Sequence, residues 1–381
     1  MPGLRPDIDP DGLLEYSVVY TDRALNHMSR AFQEVMQGIS RTLTEVYGAQ
    51  SVTIVPGSGT FGMEAVARQF ATDQHCLVIR NGFFSYRWTQ ILEVGGIARS
   101  HSVLKARRSA AGPTEPFSPP PIDEVVATIE AERPAVVFAP HVETSSGMLL
   151  PDDYVRAAAA AAHGVGALFV LDCIASGAIW VDMAELGVDV LISAPQKGWS
   201  GAPFGAFVML DEAAEARLAE TSSSSFACDL GKWRQIMAAY EAGGHAYHAT
   251  MPTDAIRSFH TVMTETERLG FDRVKAAQQE LGDRVRASLR ARGIRSVAAD
   301  GFGAPGVVVS YTDDPAVKSG AKFAALGLQI AGGVPLMCDE GDDFSTFRLG
   351  LFGLDKLTWT APSPGSMPPS ISSDRAARAP A

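Results

Sequence analysis

The sequence predicts an α/β fold in which a mostly parallel sheet is covered by helices on both faces. Short apolar runs alternate with helical patterns through the first half of the chain, which is typical of parallel sheets. The candidate strands are Val52–Val55, Leu77–Arg80, Ala135–Ala139, Ala167–Leu171, Val188–Ser193 and Gly205–Leu210. The candidate helices between them include Phe61–Phe70, Tyr86–Val94 and Asp152–Ala162. Ligands of such sheets bind beyond the carboxyl ends of the strands, so site residues are expected there.

The connections and the second half of the chain indicate a smaller second domain. Residues 110–121 are rich in proline and Thr221–Ser225 is rich in serine, so both are expected to be loops. A long amphipathic helix is expected from Ala255 to Arg292, joining a large domain to a small one. We therefore expect a large domain over residues 26–255 and a small α+β domain from residues 1–25 and 256–357, followed by an atypical tail, residues 358–381.

Composition and charge narrow the classes of function. The 381 residues are 46% hydrophobic and 20% charged, and the net charge of −11 disfavours binding to nucleic acid or anionic membranes. The four cysteines are scattered without a Cys-x-x-Cys pair, which favours small core residues in a reducing compartment over zinc ligands or disulfides. The amino terminus lacks an apolar signal segment, and the run Ala157–Val170 is too short and interrupted to span a membrane. We expect a cytoplasmic protein.

Two ionisable side chains follow buried strands at points suited to catalysis. Lys197 comes shortly after the candidate strand Val188–Ser193, and a lysine delivered by a core strand is a candidate nucleophilic amine. Such amines form Schiff bases with carbonyls and with pyridoxal phosphate (PLP). Asp172 follows the preceding candidate strand, where its carboxylate could keep a pyridine nitrogen protonated and make PLP an electron sink. Taken singly, Lys197 could be a solvated loop residue and Asp172 a turn or N-cap residue.

Three further strand-end motifs offer groups that such a cofactor needs. Pro56-Gly57-Ser58-Gly59-Thr60 lies between a strand and a helix, where glycines and free helix N–H groups can hold a phosphate. Phe84, in Asn81-Gly82-Phe83-Phe84, could stack on a planar ring, and hydroxyls of residues 141–147 could reach the ring oxygen. Each motif alone could be a tight turn, core packing or a polar loop. Their common position favours a single cofactor site.

Together these motifs resemble those of the class V aminotransferases. The resemblance extends over roughly residues 15–357, and the alanine–glyoxylate/serine–pyruvate branch looks nearest. It is carried by Pro56-Gly57-Ser58-Gly59-Thr60, His141-x-Glu143-Thr144-Ser145-Ser146-Gly147, Asp172-x-x-Ala175-Ser176 and Ser193-x-x-Gln196-Lys197. The resemblance implies the fold type I of PLP-dependent transferases, with a mostly parallel seven-stranded sheet. It also implies a homodimer with two active sites at the subunit interface.

The resemblance further implies a role for each matching residue. Lys197 would hold the cofactor as a Schiff base and shuttle a proton, and Asp172 would pair with the pyridine nitrogen. Phe84 would stack on the ring, where relatives often carry Trp or Tyr. Arg348 would bind the substrate α-carboxylate. The remaining cofactor contacts would be Thr144 on the ring hydroxyl, Ile174, the phosphate-site residues Ser58, Gly59, Thr60 and Gln196, and Tyr247 and Thr250, which would complete the neighbouring subunit's phosphate site.

Two parts of the chain depart from the family pattern. Relatives usually carry a Gly-Pro-rich loop beside the substrate where this chain has Tyr20-Thr21-Asp22-Arg23. We hypothesise that Arg23 faces the pocket and selects a second anionic group; a solvent-facing arginine is an equally good interpretation. From residue 358 the chain is rich in Pro and Ser, where relatives end in a helix. Shifting a GC-rich back-translation by one base restores an amphipathic helix, so we hypothesise a frameshift near Leu357 and a disordered tail.

The sequence therefore favours a PLP-dependent aminotransferase that moves an amino group from a small L-amino acid to a 2-oxo acid such as glyoxylate or pyruvate. The donor would be alanine, serine or an acidic amino acid. A PLP-dependent lyase or desulfurase and a 2-aminoethylphosphonate transaminase of the same fold remain open. An inactive remnant with a damaged carboxyl terminus also remains open, although intact Lys197, Asp172 and Arg348 favour activity.

Overall fold

The computed structural model describes residues 6–357. Its strands are β1 (Ser51–Pro56), β2 (His75–Arg80), β3 (Ser100–Lys105), β4 (Arg107–Arg108), β5 (Phe117–Ser118), β6 (Val136–Pro140), β7 (Val142–Glu143), β8 (Met148–Leu149), β9 (Leu168–Asp172), β10 (Val190–Ser193), β11 (Gly205–Leu210), β12 (Val307–Tyr311), β13 (Ala331–Gly332) and β14 (Thr346–Gly350). Its helices are α1 (Arg30–Tyr47), α2 (Gly59–Phe70), α3 (Phe83–Val94), α4 (Ile122–Glu132), α5 (Asp152–Gly164), α6 (Met183–Leu186), α7 (Glu212–Glu220), α8 (Leu230–Glu241), α9 (Thr253–Leu269), α10 (Phe271–Arg290), α11 (Pro315–Lys318), α12 (Ala321–Ala324) and α13 (Leu354–Leu357).

The central sheet has seven strands in the order β1-β11-β10-β9-β6-β2-β3. β11 runs antiparallel to β1 and β10, and the other neighbouring strands are parallel. β6 and β9 are buried along their whole length, which is the pattern of a sheet covered on both faces. The structure therefore confirms the predicted mostly parallel sheet. The carboxyl ends of β1, β2, β6, β9 and β10 all lie at one edge of it.

The predicted strands agree with the structure to within about two residues, and the differences have physical reasons. β10 begins at Val190 rather than Val188, because Val188 N–H still bonds back to the carbonyl of Met183, the first residue of α6. β3 is not predicted from the sequence, because it is a half-exposed edge strand without an apolar run. The expected loop at residues 110–121 contains β5, which pairs with β4.

The single helix expected from Ala255 to Arg292 is wrong, because the structure has two helices there. α9 ends at Leu269 and α10 begins at Phe271, with Gly270 between them at φ 87°. Glycine adopts this left-handed region without the steric cost of a Cβ atom. Its N–H donates to the carbonyls of Thr266 and Glu267, both at 3.0 Å, and this closes α9.

A second, smaller sheet follows in the order β12-β14-β13, with antiparallel pairing. It packs on a separate hydrophobic cluster that includes Val307, Val309 and Leu336. This sheet fits the predicted small α+β domain, whose boundaries remain predictions. The predicted atypical tail, residues 358–381, lies outside the described residues. No described helix is long and apolar enough to cross a bilayer. The four cysteines are buried and free, as predicted.

Candidate active site

Lys197 lies in a tight turn beyond the carboxyl end of β10. The turn is closed by a hydrogen bond from Ser200 N–H to the Lys197 carbonyl at 3.0 Å. It has no room for a side chain at Gly198, where a Cβ atom would lie 1.8 Å from the carbonyl oxygen of Gly177. Burial lowers the pKa of the Lys197 ammonium below its ordinary value of 10.5. The neutral, nucleophilic amine is therefore more populated than in a solvated lysine.

Asp172 ends β9, the strand next to β10, and its side chain is buried. Its Oδ1 accepts a hydrogen bond from Ile174 N–H at 2.9 Å. Burial raises the pKa of this carboxyl from 3.8 to about 7, and the positive charge of Lys197 acts in the opposite direction. A cation placed beside the carboxyl would lower its pKa again. Asp172 is thus suited to a partner such as a protonated heterocyclic nitrogen.

Ser58, Gly59 and Thr60 join β1 to α2 and form a cup at the amino end of that helix. Ser58 is the N-cap residue, but its hydroxyl makes no capping hydrogen bond and is available to a ligand. The first N–H groups of a helix lack partners within it and attract anions. A Cβ atom on Gly59 would lie 2.6 Å from Cδ1 of Ile174, so glycine allows the cup to contact the turn after Asp172.

A half-buried arginine joins this cup to the predicted stacking ring. Arg87 donates a hydrogen bond from Nη1 to Oγ1 of Thr60 at 2.9 Å. Its guanidinium carbon lies 5.2 Å from the centre of the Phe84 ring. Arg87 is not among the site residues predicted from the sequence. The available signal is its spacing, because residues three apart on a helix share a face.

The buried carboxylate of Glu143 fixes the turn that carries Phe84. It accepts hydrogen bonds from the backbone N–H groups of Phe84 at 3.2 Å, Ser85 at 2.8 Å and Ser145 at 3.0 Å. It also accepts from the hydroxyls of Ser85 at 2.8 Å and Ser145 at 2.7 Å. A Cβ atom on Gly82 would lie 2.1 Å from the Ser145 hydroxyl oxygen, so a side chain there would displace this network. The stacking-ring turn and the polar loop are therefore one unit.

Arg348 reaches the same region from the small sheet. Its Nε donates to the carbonyl of Gly332 at 2.9 Å, and its guanidinium carbon lies 5.9 Å from the centre of the Phe84 ring. Besides burial, the charge of Arg348 lowers the pKa of Lys197. The ring of Phe352, which the sequence analysis does not single out, lies 5.6 Å from Nζ of Lys197. The structure thus brings Arg348 and an additional aromatic side chain near the candidate lysine.

The roles predicted for the remaining site residues stay predictions. Tyr247 and Thr250 are exposed, and their hydroxyls are hydrogen-bonded to each other at 3.0 Å. Among the described residues, no hydrogen bond joins either of them to the cup. Gln196 and Arg23 are exposed, whereas Thr144 is buried.

This arrangement fits PLP on several independent counts. The uncapped Ser58 hydroxyl, the amino end of α2 and the nearby Arg87 suit a phosphate group. The buried carboxyl of Asp172 suits a protonated pyridine nitrogen. The half-buried amine of Lys197, with its lowered pKa, suits an aldehyde. All of these groups lie at the carboxyl edge of the parallel strands, where the fold class places ligands.

Comparisons with known proteins extend this result. Residues 13–300 match the family model described as Aminotransferase class-V. The chain is 27% identical over 289 residues to a soluble hydrogenase small subunit from Synechococcus sp., covering 74% of this chain and 71% of that protein. It is 28% identical over 328 residues to a 2-aminoethylphosphonate–pyruvate transaminase from Syntrophobacter fumaroxidans, covering 84% and 82%. An alanine–glyoxylate aminotransferase from Nostoc sp. has the same fold, with a TM-score of 0.74, 20% identity and coverage of 88% and 86%.

Proposed function

The chain belongs to the class-V aminotransferase family of PLP-dependent transaminases with fold type I, and we propose that it acts on small amino acids. The proposed reaction moves the amino group of L-alanine, L-serine or an acidic L-amino acid to a 2-oxo acid such as glyoxylate or pyruvate. The observation that carries this proposal is that Asp172 and Arg348 both lie close enough to Lys197 for their charges to shift its pKa.

Lys197 is the proposed nucleophile and base. Because burial lowers its pKa, its Nζ is more often neutral and able to bond a carbonyl carbon. The same amine can take a proton from a substrate carbon and return it at another atom. The ring of Phe352 lies beside this amine, with its centre 5.6 Å from Nζ.

Asp172 is proposed to hold the proton of the pyridine nitrogen. PLP, when bound, supplies an electron sink for the electron pair released when a bond to the substrate α-carbon breaks. Asp172 stabilises that sink by keeping a positive charge beside its carboxylate. The Thr144 hydroxyl is the proposed partner of the ring oxygen. Glu143 holds the turn of Phe84 and the loop of Thr144 together.

Arg348 is the proposed site for the substrate carboxylate. It is half-buried and forms no ion pair with any described residue, and because its Nε bonds to Gly332, its two Nη groups are the ones proposed for a bidentate contact. Arg23 is the proposed selector of a second anionic group in the donor. This role predicts that Arg23→Ala changes the preference among alanine, serine and aspartate. An unchanged preference would show that Arg23 only faces solvent.

We further propose that two copies of the chain complete each other's sites. Large apolar side chains are exposed, which is typical of an interface; they include Leu13, Leu14, Tyr16, Val18, Met28, Phe61, Phe226 and Tyr247. The Tyr247 ring lies 5.6 Å from the ring of His27, so the predicted cross-dimer segment contacts the chain just before α1. Light scattering on a size-exclusion column tests this proposal, and a monomer at micromolar concentration contradicts it.

A spectroscopic half-reaction tests the proposed function. L-alanine, L-serine and L-aspartate are added in turn to the purified, PLP-loaded protein. An accepted donor changes the absorption of the cofactor, and glyoxylate or pyruvate restores it. A bound cofactor that responds to none of these amino acids contradicts the proposed donors.

A second candidate donor is 2-aminoethylphosphonate, because the similar protein from S. fumaroxidans carries that transaminase name. The same assay with this amine and pyruvate distinguishes the two donors. A desulfurase is less well supported. Its nucleophile would be a thiol, but Cys338 is buried, and burial raises its pKa to about 12. A protonated, inaccessible thiol is a poor nucleophile.

A further inference from the structure

We propose that Arg87 is the cation that binds the phosphate group of the cofactor, in addition to the residues predicted from the sequence. This inference rests on the proposed function, because it requires PLP in the site. Arg87 lies on α3, three residues after Phe84 and therefore on the same helical face. It thus stands beside both the predicted stacking ring and the cup formed by Ser58, Gly59 and Thr60.

Arg87 is a half-buried guanidinium whose charge lowers the pKa of Asp172 but that forms no described ion pair with it. Within residues 6–357 it takes part in no ion pair, whereas the comparably buried Arg234 contacts Glu215 at 2.7 Å and Glu241 at 3.0 Å. Removing a guanidinium from water costs free energy unless an anion compensates its charge. The compensating anion for Arg87 is therefore expected to be a ligand.

The hydrogen bond of Arg87 directs it to the cup. Its Nη1 donates to Oγ1 of Thr60 at 2.9 Å, and Thr60 lies in the first turn of α2. A guanidinium carries five N–H donors in a planar fork that matches phosphate oxygens, so donors remain after this one bond. An anion held here would meet the positive end of the α2 dipole and one positioned cation.

The Phe84 ring orients the guanidinium. A distance of 5.2 Å to the ring centre is within the range of a cation–π interaction. Arg87 therefore couples the ring proposed to stack on the cofactor with the cup proposed to hold its phosphate. Lysine at this position would keep the charge but lose the planar fork.

Two competing roles for Arg87 predict different results. In the first, Arg87 binds a second carboxylate of a dicarboxylic donor instead of the cofactor phosphate. In the second, it has no anion to bind and only supports the Phe84 ring. The three roles are distinguished by comparing a ligand that carries the phosphate with one that has the same ring and aldehyde but lacks the phosphate.

The test compares the binding of PLP with that of pyridoxal, which lacks the phosphate. Both are titrated into cofactor-free protein carrying Arg87→Met or Arg87→Lys, and absorption reports binding without any turnover. The matched control is Arg30→Met, which removes an exposed arginine paired with Glu34 on α1. Thermal unfolding of each cofactor-free variant establishes that it is folded, and Arg87→Lys provides the milder change.

We expect Arg87→Met to weaken PLP binding by about tenfold to a hundredfold and pyridoxal binding by less than about threefold. The affinity of Arg87→Lys for PLP should lie between those of the wild type and Arg87→Met, and this order should appear with PLP only. Equal losses for PLP and pyridoxal would overturn the proposal in favour of a supporting role for Phe84. Unchanged binding of both, with a raised KM for aspartate, would overturn it in favour of substrate recognition. Failure of the proposed function is separate, because it appears as a bound cofactor that no amino acid converts.

Discussion

Replacing Asp172 by asparagine should stabilise the cofactor-free protein while weakening its cofactor site. Burial raises the pKa of this carboxyl from 3.8 to about 7. The folded state therefore binds the proton more tightly than the unfolded state between about pH 4 and about pH 7. Because the unfolded chain ionises freely in this window, the stability of the wild type falls as the pH rises through it. Asparagine is neutral and similar in shape, so the variant lacks this contribution.

The size of the effect follows from the two pKa values of Asp172. Their difference corresponds to about 4 kcal/mol when the carboxyl is fully ionised. Part of this cost is already present at about pH 5, so the advantage of Asp172→Asn should grow by about 2 to 3 kcal/mol between about pH 5 and about pH 8. Adding PLP should reverse the order, because only the carboxylate can compensate a protonated pyridine nitrogen.

Urea unfolding of the cofactor-free proteins at one protein concentration measures this difference, provided that the slope against urea is the same for both. Asp342→Asn is the matched control, because it removes one carboxyl from an exposed position. If the unfolding free energies of Asp172→Asn and the wild type differ by the same amount at both pH values, ionising the buried carboxyl does not destabilise the folded state.

Four other changes test the site. Lys197→Ala should lower the rate of the amino-acid half-reaction at least about a hundredfold, and borohydride should no longer attach the cofactor to the protein, as mass spectrometry would show. Gly59→Ala should cost about 1 to 3 kcal/mol of unfolding free energy, and Ile174→Val should recover part of it because valine lacks the Cδ1 atom 2.6 Å from the new methyl group. Glu143→Gln should cost about 1.5 to 3 kcal/mol in urea unfolding, since an amide cannot accept at both ends. Arg348→Lys should raise the KM of the 2-oxo acid about tenfold or more while binding PLP normally.

Three of these changes have a control or an outcome that would contradict them. Gly164→Ala adds a methyl group where no atom lies within 4 Å, so it should not destabilise the protein as Gly59→Ala does. Reductive attachment of PLP to the Lys197→Ala protein would identify a different amine. Additive effects of Gly59→Ala and Ile174→Val would mean that the two side chains do not clash. A normal KM in Arg348→Lys would separate Arg348 from the substrate carboxylate.

Much of the fold and part of the site could be predicted from the sequence, because both depend on short stretches of chain. Alternating apolar runs and helical patterns predicted the parallel sheet, since buried strands need continuous apolar segments. The position of Lys197 and Asp172 after such strands predicted that they share one edge, as the ends of parallel strands do. The half-exposed edge strand β3 lacked this signal, and an amphipathic pattern that continued through Gly270 concealed the break between α9 and α10.

The sequence by itself therefore determined the fold class, the positions along the chain of most central strands, and the residues after those strands that could bind a cofactor. Only the tertiary structure decided which side chains meet. Glu143 holds the Phe84 turn, which is far from it in the chain, and Arg87 reaches Thr60 from another helix. The pKa values of Lys197 and Asp172 were decided in the same way. Distances between remote residues and their burial arise from packing of the whole chain, and these quantities set hydrogen bonds and proton affinities.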